Sequence, residues 1–113
     1  MVRLLSDEVA ELLAHRLRVL GQEVRIRIID VLDKGGSMTV KEVAGVLGIS
    51  SYDASQHLAE LRSERIVHGA RAGRSVRYEL TDQSAVAVYQ LIIDRLREQV
   101  DRVHHSLSEL LDP

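Results

Sequence analysis

A mainly helical domain with one small β-hairpin is the fold this sequence predicts, and three observations predict it. Apolar residues recur at helical spacing in five stretches, within Val9 to Leu20, Val24 to Leu32, Val43 to Leu47, Ala54 to Leu61 and Tyr89 to Leu110. One stretch changes period: Val76, Tyr78 and Leu80 alternate with Ser75, Arg77 and Glu79. The chain of 113 residues is 45% hydrophobic, with no cysteine and a single proline. That composition argues against disorder and excludes a disulfide framework or a thiolate metal site. One compact domain over residues 1–113 is expected. A chain this short buries only ~60–65% of its unfolded surface, so self-association is favoured from the start.

Ser6 can cap a first helix running to Leu20, with Asp7 and Glu8 suited to its positive end. A second helix follows from about Val24 and stops at Gly35-Gly36. Thr39-Val40-Lys41-Glu42 has the form of a capping box, in which the threonine and glutamate side chains satisfy each other's backbone N–H groups. The third helix it opens is short and ends at Gly48. Ser50, with Asp53 three residues on, starts a fourth that runs to about Arg65 and buries the Ala54, Leu58, Leu61 stripe. Residues 66–80 form the hairpin, with an arginine-rich tip around Gly73. The last helix, 82–111, carries Tyr89, Ile93, Leu96, Val100, Val103, Leu107 and Leu110 at alternating spacings of 4 and 3, a heptad seam. Left in water, that seam would be a long apolar stripe. A homodimer held by helices 6–20 and 82–111 is expected, with Leu13, Tyr89, Ile93, Leu96, Val100, Val103 and Leu107 at its interface.

The formal net charge of −2 does not suggest a nucleic-acid partner, but its distribution is uneven. Between Ser55 and Tyr78, Arg62, Arg65, Arg71, Arg74 and Arg77 stand against Glu60 and Glu64, a local charge of +3 that leaves −5 elsewhere. Helices three and four, joined by a tight turn over 39–65, have the form of a helix-turn-helix, and the hairpin makes it winged. At ~100° per residue, Tyr52, Gln56, Ala59 and Ser63 lie opposite the buried stripe, with Ser55 beside them. Gln56 can pair with adenine through two hydrogen bonds. Ser50, Ser51 and Ser55 can reach phosphates or bases, and Tyr52 a phosphate or a thymine methyl. Arg71, Arg74 and Arg77 supply phosphate charge from the wing. Asp53 and Glu60 share one flank, where they repel phosphate, and Asp53 is spaced to pair with His57.

These residues resemble the ArsR/SmtB family of bacterial winged-helix repressors. The resemblance rests on Val24-Arg25-Ile26-Arg27-Ile28-Ile29, on Ser55-Gln56-His57-Leu58-Ala59-Glu60-Leu61-Arg62 and on Gly73-Arg74-Ser75-Val76-Arg77-Tyr78-Glu79-Leu80. It implies a homodimer that binds a palindromic DNA operator and usually releases it when an inducer binds. The family's Cys-x-Cys metal site falls on Thr39 and Lys41, which cannot replace thiolates. Its zinc-type site falls on Asp82-x-Ser84 and Arg95-x-x-Glu98, with two of four ligands lost.

Any effector metal would need nitrogen and oxygen donors and so would be of the Ni, Zn or Co kind. His104, His105, Asp101 and Glu109 are the candidates near the C-terminus, with His15 from the first helix. Asp101, His105 and Glu109 share one helix face, whereas His104 flanks the seam. The alternative is solvated histidines with i, i+4 salt links. His57 lies near the buried edge of helix four and reads as structural; His68 on the wing fits either role.

No nucleophile elbow, His-Glu-x-x-His pair, phosphate-cradling glycine loop or cysteine nucleophile occurs, so the chain is not read as an enzyme. The rival to a DNA-binding regulator is an interaction module that keeps the winged scaffold and works with a separate sensing protein. MVRLLSDE breaks off before any export signal develops, and a cytoplasmic, membrane-free protein is expected.

Overall fold

The computed structural model describes residues 2–111 and contains, in chain order, α1 (Asp7–Leu20), α2 (Glu23–Gly35), β1 (Met38–Thr39), α3 (Val40–Leu47), α4 (Ser51–Ser63), β2 (Val67–Ala72), β3 (Ser75–Leu80) and α5 (Gln83–Leu111). The chain divides after Gln83 into two compact units, the first holding α1 to β3 and the second the body of α5. Among the described residues no helix is long and apolar enough to cross a membrane.

Each helix start in the first unit is fixed by a side chain that takes a free backbone N–H. Ser6 Oγ accepts from Val9 at 3.2 Å, Thr39 Oγ1 from Glu42 at 3.2 Å and Ser50 Oγ from Asp53 at 3.0 Å. Gln22 Oε1 does the same for Arg25 at 2.9 Å, a cap that a sequence reading misses because glutamine is an uncommon capping residue. The capping box expected at Thr39 is half formed. Among the described residues Glu42 does not return to the Thr39 backbone, because its carboxylate faces Arg77 at 3.4 Å. α3 stops at Gly48, whose φ of 66° lies in the left-handed region that glycine enters without a Cβ penalty; its N–H closes back onto Ala44.

The core of the first unit is assembled from all four of its helices and from the hairpin. Ile28, Ile29 and Leu32 come from α2, Val43 from α3, Ala54, Leu58 and Leu61 from α4, and Ile66, Val67 and Tyr78 from the hairpin and its approach. Full burial of a leucine or isoleucine stabilises by about 1.5–3 kcal/mol. α1 contributes only Val19 and Leu20 at its end, while Val9, Leu12, Leu13 and Leu17 stay exposed.

The hairpin is one part of a three-stranded antiparallel sheet ordered β1-β3-β2. β2 and β3 pair from Val67↔Leu80 to Ala72↔Ser75, and Gly73, with φ 67°, opens the turn at the tip. The third strand, β1, is an addition to the expected hairpin. It has two residues, Met38↔Tyr78 and Thr39↔Arg77, too few to show an alternation in sequence.

α5 is 29 residues long, about 44 Å at the helical rise. Ile93, Leu96, Val100, Val103, Leu107 and Leu110 are all exposed along it, and Tyr89 is half-buried.

Candidate nucleic-acid interface

α3 and α4 are joined by a turn in which Ile49 N–H reaches back to the Ala44 carbonyl at 3.1 Å while Ser50 begins the next helix. That tight junction aims α4 outward from α3. Because Ala54, Leu58 and Leu61 turn wholly inward, the opposite face is forced into solvent. Ser51, Tyr52, Ser55, Gln56, Ala59 and Ser63 are all exposed there, as the spacing predicts, with Tyr52 at 72%. Ser50 has a second task, since its Oγ is the helix cap. Its hydroxyl hydrogen remains free to donate outward. Asp53 and Glu60 are exposed on the other flank.

The three wing arginines differ. Arg71 and Arg74 are exposed, and neither has an ion pair among the described residues. Arg77, expected to offer charge to phosphate, is half-buried and held against the segment before β1. Its Nη2 donates to the Ser37 carbonyl at 2.7 Å, its Nε to Ser37 Oγ at 3.2 Å and its Nη1 to Glu42 at 3.4 Å. Arg77 thus clamps the segment before β1 to the sheet. Local spacing carries no sign of this, because its partners lie 35 and 40 residues away.

His57 also departs from its expected partner. Arg25 Nη1 donates to His57 Nδ1 at 3.3 Å, so Asp53 is not what holds the ring. An accepting Nδ1 leaves the hydrogen on Nε2. The same guanidinium donates to the carbonyls of Val19 at 2.7 Å and Arg18 at 3.2 Å, satisfying the last turn of α1. Arg25 thereby ties the end of α1 to the middle of α4 through His57.

A second tie runs from α1 to the end of α4. His15 Nε2 sits 2.7 Å from Glu64 Oε1, Arg16 Nε 3.2 Å from Glu64 Oε2, and Arg16 Nη1 3.0 Å from Asp82 Oδ2. Glu64 is the C-terminal cap of α4 and Arg65 after it has φ 58°, a left-handed conformation unusual for arginine. Thr81 Oγ1 donates to the carbonyls of Arg65 and Ile66 at 3.2 and 3.1 Å, which holds the turn in place.

The metal positions implied by the resemblance do not fit a metal. Thr39 Oγ1 is a helix cap and Lys41 is a cation. Asp82 faces Arg16, and Arg95 Nη1 pairs with Glu98 at 3.1 Å in the place of a ligand pair. Among the described residues no three histidine, aspartate or glutamate side chains gather as a metal-holding group. His105 Nε2 and Glu109 are paired one turn apart at 3.1 Å, His104 and Asp101 are exposed, and His15 is engaged by Glu64.

A family model described as a helix-turn-helix domain matches residues 20–69, which include α2 to α4. A transcriptional repressor SmtB homolog from Synechocystis sp. is 30% identical over 94 residues, covering 83% of this chain and 70% of the relative. The crystal structure of NolR from Sinorhizobium fredii superposes with a TM-score of 0.72 at 27% identity, over 82% of this chain and 95% of that one. A homodimeric winged helix-turn-helix DNA-binding domain from Mycobacterium bovis superposes with a TM-score of 0.65 at 27% identity, over 86% and 92%.

Proposed function

The chain belongs to the ArsR/SmtB family of winged helix-turn-helix transcriptional regulators, and from that premise we propose that it works as a homodimeric repressor reading a palindromic operator through α4. It is a DNA-binding regulator and not an enzyme. The observation that carries the detailed reading is the exposed face of α4, where Gln56, Tyr52 and Ser55 stand clear of the fold beside two wing arginines that have no ion pair among the described residues. A helix presented this way enters the major groove, where Gln56 distinguishes adenine by its paired donor and acceptor.

Dimerisation through α1 and α5 is supported by the uncovered leucines and valines on each helix. Two α4 helices related by a two-fold axis demand half-sites about one helical turn apart. Selection from a pool of random duplexes tests the reading: it should enrich an inverted repeat with that spacing. Enrichment of no sequence would leave the winged scaffold working through a separate sensing protein.

For a metal effector, the donors this chain offers are His104, His105, Asp101 and Glu109. Since one chain does not bring three of them together, we assign such a site to two copies of α5 side by side. A metal takes the neutral imidazole, so its binding competes with protons. Titration with Ni and Zn should show His104→Ala/His105→Ala failing to bind what the unmodified dimer binds. Equal stoichiometry and affinity would remove these residues and leave the effector a non-metal.

A further inference from the structure

At the base of the wing, where α4 gives way to β2, a pocket of about 430 Å³ opens to solvent. Arg62, Arg65 and His68 line it together with Val67 and Thr81. The three basic residues are exposed, and among the described residues none has an ion pair or a side-chain hydrogen bond. Arg62 by itself needs no ligand to explain it, because a cation in the last turn of a helix suits the helix's negative end. Arg65 is different. Its φ of 58° is the left-handed conformation that glycine enters freely and that a side chain makes costly, and its guanidinium gives the fold no bond in return. Backbone cost of this kind clusters at functional sites.

The acids nearby are engaged elsewhere or turned away. Glu64, between the two arginines in sequence, is held by His15 at 2.7 Å and Arg16 at 3.2 Å, and Asp82, next to Thr81, by Arg16 at 3.0 Å. Glu60 lies about 160° around α4 from Arg62. Glu79 stands across the hairpin from His68 in register, yet the two make no ion pair among the described residues. The carbonyl groups that carry the negative end of α4 are occupied as well. Leu61 accepts from Ile66 at 3.0 Å, Arg62 from Arg65 at 2.9 Å and Arg65 from Thr81 Oγ1 at 3.2 Å. A helix end amounts to about half a charge, which two guanidinium groups outweigh. The pocket is therefore a cationic one.

We propose that this pocket binds a small organic phosphomonoester, with Arg62 and Arg65 taking the phosphate oxygens and His68 adding an N–H donor. A guanidinium presents a planar fork of donors that matches phosphate, and an imidazole keeps at least one N–H in either protonation state. The volume is more than a bare phosphate fills and falls in the range of about 300–1,000 Å³ of sites for small organic ligands. The pocket is also separate from the base-reading face, since Arg62 is seven residues beyond Ser55, about 10 Å along the helix. A ligand seated there joins the last turn of α4 to the first residues of β2. It ties the helix to the wing without touching the face that Gln56 occupies.

Calorimetric titration of the DNA-free protein with glycerol 3-phosphate and with inorganic phosphate, at constant ionic strength, tests the proposal. Glycerol 3-phosphate should bind once per subunit. Arg62→Gln and Arg65→Gln should each weaken it by about tenfold or more, the loss of a hydrogen bond to a charged group. Arg27→Gln, whose charge is answered by Glu23 at 3.1 Å on α2, should follow the unmodified protein. Inorganic phosphate should bind through the same arginines but more weakly; if it binds as tightly, the free ion is the ligand and the monoester is overturned. Arg65→Gly gives a second measurement, because glycine relieves the left-handed backbone. In phosphate-free buffer it should unfold no earlier than the unmodified protein, and it should lose the thermal stabilisation that glycerol 3-phosphate confers. Earlier unfolding would give the arginine a task in the fold and overturn the proposal. Equal glycerol 3-phosphate affinity in Arg65→Gln and Arg27→Gln overturns it outright. So does a DNA duplex that loses as much affinity on Arg65→Gln as glycerol 3-phosphate loses, since the pocket then serves the nucleic-acid backbone.

Discussion

In α4 the residues Ala54, Leu58 and Leu61 are closed over by the chain's own elements with none of their surface exposed, whereas in α5 Leu96, Val100 and Val103 keep 51–57% of theirs. Both stripes follow the same three- and four-residue spacing. Spacing reports that a helix has a face to bury, but it does not report what covers that face. In α4 the cover is α2, α3 and the sheet, and the residues left outside become the site. In α5 the apolar face is itself what remains to be covered, and the proposed cover is a second copy of the helix.

The largest effects should come from breaking each stripe in turn. Val100→Glu/Val103→Glu places charge in the proposed seam, so sedimentation should show monomers that keep their helical content. Operator affinity should fall by about 10²–10⁴, the advantage of holding two half-sites on one body. Unchanged sedimentation of this variant removes the seam as the interface. Leu58→Ala should instead cost about 2–5 kcal/mol of folding stability, because it opens a cavity in a closed core. Denaturant melts should show that loss in the monomeric Val100→Glu/Val103→Glu background as well. If Leu58→Ala proves harmless there, the closure of the α4 stripe depends on the dimer and the contrast between the two helices fails.

What the sequence disclosed follows the same division. Caps at Ser6, Thr39 and Ser50, the α4 stripe, the wing and the heptads of α5 all depend on residues a few positions apart, and each was legible. Side-chain partners distant in sequence were not. Arg77 looks like its neighbours Arg71 and Arg74 until Ser37 and Glu42 are brought beside it. His57 has a plausible local partner in Asp53, yet it is held by Arg25, 32 residues away. His15 has acidic neighbours Glu8 and Glu11 on its own helix, yet it meets Glu64 at the end of α4. For an exposed charged residue, local spacing names the available partners, and the tertiary fold chooses among them. β1 was hidden for a different reason, being a strand of two residues recruited by the edge of β3.

A finer comparison lies within α4, between its outward face and its acidic flank. Gln56→Ala should reduce operator affinity by about 1–3 kcal/mol per half-site and leave affinity for unrelated duplex unchanged. Competition between a selected operator and mixed-sequence DNA measures both at once. A specificity ratio that does not move would mean that the wrong face of α4 has been set against the bases.

The smallest effect is expected on the flank that carries Asp53 and Glu60. Both are exposed, so their repulsion of a passing phosphate is screened by water and by salt. Glu60→Gln keeps the size and polarity of the side chain and removes only the charge. It should raise affinity for every duplex alike, by about 0.2–1 kcal/mol per subunit, the scale of exposed charge interactions. The gain should shrink as salt is added. The opposite result is equally informative, because glutamate can accept a hydrogen bond from the amino group of cytosine in the major groove. If Glu60→Gln weakens binding to the operator but not to mixed-sequence DNA, the acidic flank reads a base. The boundary drawn between the two sides of α4, with Gln56 on the reading side and Glu60 off it, would then have to move by about 40° around the helix.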